Sequence, residues 1–137
     1  MDEQDCLICA KHRGEGPLQG PVIHADDLVV VTHRADGLLG HAFVETRRHV
    51  AGVDELTDAE AEAVGRATSR LARALKRELG AERVHTFVAG LHVGHFHAHV
   101  LARLPGTPDS QPWWSPWTSG PHGDVVELAE SIAPELA

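Results

Sequence analysis

His95-Phe96-His97-Ala98-His99-Val100-Leu101 alternates imidazole with apolar side chains three times and then turns wholly apolar. A period of two belongs to an extended strand, on which residues two apart point to the same face. His95, His97 and His99 therefore share one face, while Phe96, Ala98 and Val100 share the other, which is suited to burial against a helix. The strand is expected over residues 95–104, because Pro105-Gly106-Thr107-Pro108 breaks it.

The partners of that strand lie on both sides of it in sequence. Upstream, the clearest helix spans Asp58 to Leu79: Thr57 with Glu60 makes a capping box, Gly80 supplies the stop, and Val64, Ala67, Leu71, Leu75 and Leu79 trace one apolar stripe. The acidic residues Asp58, Glu60 and Glu62 come early in it. Arg73, Lys76 and Arg77 come late, as the helix dipole favours, and read as a solvated face. Short strands are expected at 21–25, 28–32, 41–46 and 84–88, the first two as a hairpin. Downstream, the stretch from Asp109 to His122 gathers Trp113, Trp114 and Trp117 among Pro, Ser and Gly, and a final helix runs from about Gly123 to Ile132, ending before Pro134. Residues 1–137 are thus expected to form one α+β domain, an antiparallel sheet of about five strands with one long helix and a short C-terminal helix.

Twenty acidic residues against twelve Lys and Arg give a net charge of −8, so the surface as a whole repels polyanions and no nucleic-acid polymer is expected as a partner. A phosphate ligand must be held locally. No apolar run is long enough to span a membrane, and the acidic start Met1-Asp2-Glu3-Gln4-Asp5 is unlike a secretory or transit segment, so a cytoplasmic location is expected. Eleven histidines in 137 residues point to metal ligation, acid-base work or both. Cys6 and Cys9 form one Cys-x-x-Cys with only five residues ahead of it, too few for the buried strand that a thioredoxin-type redox pair follows. Half of a metal site is the better reading of that pair.

Three imidazoles fixed in a row by a packed strand suit phosphoryl or nucleotidyl transfer. One ring attacks phosphorus with its far nitrogen while its near nitrogen donates to a carbonyl, and neighbouring rings stabilise the phosphoryl oxygens. A three-histidine metal tripod and a merely solvated sheet face are the alternatives. The sequence carries no serine elbow, no Gly-rich phosphate loop with Lys and no evident carboxylate pair for a rival mechanism.

The heptad His95–Leu101 resembles the signature of the histidine triad (HIT) family, His-φ-His-φ-His-φ-φ, where φ is apolar. Cys6 and Cys9 resemble the zinc-binding branch of that family, and Leu39-Gly40-His41-Ala42-Phe43-Val44 with Arg47-Arg48-His49-Val50 is similar to its third-strand segment, so the resemblance covers roughly residues 6 to 117. It implies a HIT-like fold and a hydrolase or nucleotidyl transferase acting at the α-phosphate of a dinucleoside polyphosphate or nucleoside phosphoramidate. It implies His97 as the nucleophile, with His99 and His95 beside it as catalytic residues. Substrate contacts are implied at His41 and His99, with His92 and His33 at positions where relatives place other polar side chains near phosphate and ribose. A structural zinc is implied on Cys6, Cys9, His49 and His95, and a homodimer with sheets joined edge to edge; the spacing Cys6-x-x-Cys9-x-x-His12 separately offers His12 as a replacement for His49. A slow nucleotide-binding protein acting through a partner is the alternative that the histidine at position 33 keeps open. Thr46, where many relatives carry proline, departs from the pattern, and Arg103 reads as a phosphate contact or, preferably, as a solvated strand-end cation. His24, His85 and His122 read as ordinary surface histidines. The tryptophan segment is expected to stack on a substrate base, cover the sheet or plug a dimer interface.

Overall fold

The computed structural model describes residues 2–137; Met1, at the head of the acidic N-terminal stretch, lies outside them. The chain runs α1 (Leu7–His12), β1 (Val22–Ala25), β2 (Val29–His33), β3 (His41–Thr46), a 3₁₀ turn (Val53–Glu55), α2 (Asp58–Leu79), β4 (Arg83–Phe87), β5 (His97–Arg103) and α3 (Val125–Leu136). The five strands form one antiparallel sheet in the order β1-β2-β3-β5-β4. The expected class and strand count hold.

Strand parity divides the sheet into two chemically distinct faces. Val29, Val31, Ala42, Val44, Ala98 and Val100 point to one side and pack with Leu71, Ala74 and Leu75 of α2 and Leu128 and Ile132 of α3 into the main core. The alternate positions carry the chemistry. Across β3 and β5, Glu45 lies opposite His97, Phe43 opposite His99 and His41 opposite Leu101, so these side chains occupy the face that α2 and α3 leave uncovered. Helix α2 begins as its capping box requires, with Thr57 accepting from Glu60 N–H and Glu60 accepting from Thr57 N–H, and stops where Gly80 takes a left-handed φ of 63°.

Beyond one-residue shifts at the ends of β1, β2, β4 and β5, three features differ from expectation. Strand β5 starts at His97 and not at His95, because Phe96 N–H donates to Val50 O instead of continuing the ladder with β3. His95 sits in the bend just before it. Helix α3 starts at Val125, capped by Asp124, which accepts from the N–H groups of Val126 and Glu127, and runs through Pro134 to Leu136. The missing N–H of Pro134 leaves open only a carbonyl at the exposed Glu130, while Val125, Leu128, Ala129, Ile132 and Leu136 hold the whole length down by burial. The third difference is α1, a turn and a half unforeseen because its N-cap is a thiol: Cys6 Sγ accepts from Cys9 N–H. Among the described residues no helix is long and apolar enough to cross a membrane.

Candidate functional site

The uncovered sheet face opens into a cavity of about 450 Å³ whose polar wall holds His41, Glu45, His97 and His99 together with Lys11 of α1 and Arg34. Pro17, Leu18, Phe43 and Val93 supply much of its apolar lining. The cavity therefore offers an apolar slot beside a compact group of imidazoles.

Hydrogen bonds decide which nitrogen of each ring carries a proton. His97 Nδ1 lies 2.8 Å from His95 O, so Nδ1–H donates there and the Nε2 lone pair is bare, with no partner among the described residues. Arg34 Nη1 is 3.1 Å from His41 Nδ1 and can only donate, which makes that nitrogen an acceptor and places the proton of neutral His41 on Nε2. His41 Nε2–H then donates across 3.0 Å to His99 Nδ1, leaving the His99 proton on its Nε2. One ring thus presents a lone pair and its neighbour, 5.1 Å away between centroids, presents a donor. Phe87 stacks on His99 at 4.6 Å and 6°, locking that ring.

Burial keeps His41 and His99 uncharged. His41 is pushed down to about 3, first by desolvation and then by the nearby His99 and Arg34. His99 is pushed down to about 4, first by desolvation and then by His97. Below pH 6.5 an unfolded chain would take protons onto both rings while the folded chain would not, so folding stability is expected to fall as pH drops from about 6.5 toward 4. The slope is at most about 1.4 kcal/mol per pH unit for each ring. Urea midpoints across that range measure it, and a His41→Asn variant should lose part of the dependence.

The row of three imidazoles expected from the heptad is divided in two. His97 and His99 face the cavity, whereas His95, fully buried, turns to a second cluster with Cys6, Cys9 and His49. The four donor atoms all lie within 4.8 Å of one another. His95 Nδ1 is 3.5 Å from Cys6 Sγ and 3.4 Å from Cys9 Sγ, His49 Nδ1 is 3.4 Å from Cys9 Sγ, and the two Nδ1 atoms are 3.3 Å apart. A zinc tetrahedron with bonds of about 2.3 Å to sulfur and about 2.0–2.1 Å to nitrogen has edges of about 3.3–3.6 Å between nitrogens or between nitrogen and sulfur. The donor set fits such an ion. His95 Nε2 donates to Thr46 O at 2.7 Å, which fixes the ring and frees Nδ1 for a metal. Burial, then Cys6, pushes the Cys9 thiol up to about 11, so an ionised pair of thiols here calls for a cation.

Other expected site residues fall elsewhere. His33 is buried and does not line the cavity: its Nδ1 donates to Arg34 O at 2.8 Å and its Nε2 accepts from Gly40 N–H at 2.9 Å, so both nitrogens are spent on the backbone. His92 is exposed in the loop before β5, where Val93 and not His92 lines the cavity. His12 is not a donor in the cluster; its Nε2 meets Glu45 Oε1 at 3.0 Å and its ring stands edge-on to His95. Arg103 is more than a solvated cation, because it donates to Pro108 O and Gln111 O and pins the loop after β5. Trp113 packs on His85 and Phe87, so the tryptophan segment covers the β4 margin of the sheet and is not part of the cavity lining. His24 pairs with Asp26, and His122 is exposed.

Three participants escaped the sequence reading. Arg34, held by Asp36, fixes the tautomer of His41. Lys11 and Glu45, 34 positions apart, meet inside the cavity wall at 2.8 Å. Only Glu45 left a trace in sequence, as a carboxylate in mid-strand among residues expected to be half-buried.

Residues 18–106 match the family model described as the HIT domain. The chain is 25% identical over 140 residues to "Protein hit" of Bacillus subtilis (strain 168), an alignment covering 98% of this chain and 96% of that one. Its fold is similar to that of a Zn-bound histidine triad family protein from Mycobacterium smegmatis, with a TM-score of 0.73 at 20% identity and 98% and 95% of the two chains covered. A Hit-like protein involved in cell-cycle regulation from Bartonella henselae is similar too, with a TM-score of 0.70 at 18% identity and coverage of 98% and 99%.

Proposed function

This chain belongs to the HIT domain family, and from that premise we propose that it is a nucleotide hydrolase or nucleotidyl transferase whose nucleophile is His97 Nε2. The observation that carries the reading is the tautomer sequence: a bare Nε2 on His97 beside an N–H donor on His99, both facing a cavity of nucleotide size.

The His97 Nε2 lone pair attacks the α-phosphorus, the N–P bond forms, and the bond to the leaving group breaks with its electron pair going to that group. Positive charge developing on the imidazole is met by the Nδ1–H bond to His95 O. His99 Nε2–H donates to a phosphoryl oxygen, and His41 and Arg34 hold His99 in the tautomer that can do so. Water then attacks phosphorus, the N–P bond breaks, and a nucleoside monophosphate leaves. Dinucleoside polyphosphates and nucleoside phosphoramidates are the proposed substrates.

Mixing the protein with diadenosine polyphosphates or adenosine phosphoramidate and quenching within the first turnover tests this. Mass spectrometry should find an adenylate on the peptide that carries His97. Nucleotide bound tightly with neither adduct nor product would instead favour a slow binding protein acting through a partner.

Cys6, Cys9, His49 and His95 would hold a structural zinc. Such an ion would anchor α1 and the bend before β5, so that His95 O stays aimed at His97 Nδ1. With all four positions filled by protein it would have no open position for substrate.

The sheet has two edges, β1 and β4, and beside β4 lie the exposed Val88, Leu91 and Trp113. Joining two copies along β4 would satisfy that strand's outer backbone groups and cover this apolar patch. Light scattering is expected to report about twice the 14.8 kDa of one chain; a monomer at micromolar concentration would sink the pairing.

A further inference from the structure

Lys11 and Glu45 put a charged pair where the fold alone would place apolar contacts. Both are buried, 9% and 2% exposed, and both line the same cavity as His97. Lys11 Nζ donates to Thr32 Oγ1 at 2.7 Å and to Glu45 Oε2 at 2.8 Å, and it stands 5.0 Å from the centre of the Phe43 ring. Glu45 Oε1 takes one further bond, from His12 Nε2 at 3.0 Å.

The hydrogen-bonding capacity of this pair is not exhausted. An ammonium has three donors and a carboxylate about four acceptor positions. Two donors and two acceptor positions are used, which leaves one N–H and further lone pairs at the cavity wall. The opposite charges cancel, so the pair offers a phosphate no net attraction and presents it with a carboxylate. It suits a neutral group that both donates and accepts, such as a hydroxyl. Position narrows the group further. Glu45 is directly across from His97 in the β3–β5 register, so the substrate part nearest the pair is the one attached to the reacting phosphorus. In a nucleotide that part is the sugar, while the apolar slot of Pro17, Leu18 and Val93 is left for the base.

We propose that Lys11 and Glu45 are the specificity-determining residues of this cavity and that they read the 2′- and 3′-hydroxyls of a ribonucleotide. This rests on the nucleotide reading above. A substrate lacking those hydroxyls would bury the pair with its remaining donor and acceptors unpaired, and a site built to bond a hydroxyl rejects the analogue without it far better than an apolar site does.

Calorimetry on the wild-type protein with adenosine 5′-monophosphate and its 2′,3′-dideoxy analogue tests the idea without relying on catalysis or on a variant that folds. The ribonucleotide should bind at least about tenfold more tightly, the difference expected from one charge-assisted hydrogen bond. In Glu45→Gln and Lys11→Met that ratio should shrink toward one, with the dideoxy affinity little changed. A variant that lost affinity for both ligands in proportion would assign the pair a structural role and overturn the proposal, as would equal binding of both ligands by the wild type. Should discrimination in the wild type follow instead from replacing adenine by unsubstituted purine, the pair reads the base and the proposal fails. Failure of adenosine monophosphate to bind at all would remove the nucleotide reading itself, an outcome distinct from binding without sugar discrimination.

Discussion

Replacing His97 by alanine is expected to lower turnover of an adenylated substrate by about four orders of magnitude or more while leaving the fold intact. Loss of a nucleophile removes the covalent route altogether, and such losses are among the largest single-residue effects in enzymes. The fold should tolerate the change because the ring is only half-buried and its one hydrogen bond among the described residues, to His95 O, is made at the cavity wall. Substrate affinity should change little, since Arg34, His41, His99, Lys11 and Glu45 all remain. Single-turnover kinetics with a far-ultraviolet spectrum of the variant checks both halves. Turnover within a factor of ten of wild type would take His97 out of the chemistry.

Replacing Cys6 by serine should act through stability. Structural zinc in comparable four-donor sites contributes an apparent 10–16 kcal/mol of binding energy that is also folding energy, so losing one thiolate should lower the melting temperature by well over ten degrees. Elemental analysis should find one zinc ion per chain in the wild type and in His97→Ala, and far less than one in Cys6→Ser. Chelation of the wild type should reproduce the same melting shift. Zinc retained in Cys6→Ser and absent from His97→Ala would reverse the assignment and make the cavity rings the metal site. Activity should fall along with stability, because a loosened bend before β5 no longer aims His95 O at His97.

The period-two heptad was legible because a strand packed on one face must alternate, and the capping box of α2 because an exposed helix start needs its N–H groups bonded. Of the four proposed metal donors, Cys6 and Cys9 were legible as half a site from their spacing, and His49 and His95 only through resemblance. Spacing alone tells nothing of how positions 6, 9, 49 and 95 meet, since that depends on where α1 holds its two thiols and on the bend at His95 before β5. The placement of His33 was hidden for a related reason: a histidine after a strand looks available until Gly40, in its left-handed turn at φ 97°, is seen donating to it. Lys11 was invisible because lysine is ordinarily solvated, and only the distant Glu45 and Thr32 make its burial tolerable. Pro134 misled in the opposite direction, since a proline in a last helical turn sacrifices a single bond to an exposed carbonyl.

The central pair of the sheet, β3 with β5, joins segments that lie about fifty residues apart, and α2 and β4 are made between them. A chain still emerging from the ribosome therefore holds two thiols and one imidazole with no fourth donor until residue 95 clears the exit tunnel. Capture of an ion by the proposed site would then coincide with assembly of the site as one late event. Copies released early would expose unsatisfied thiols and a raw strand edge, the species that quality control has most reason to destroy.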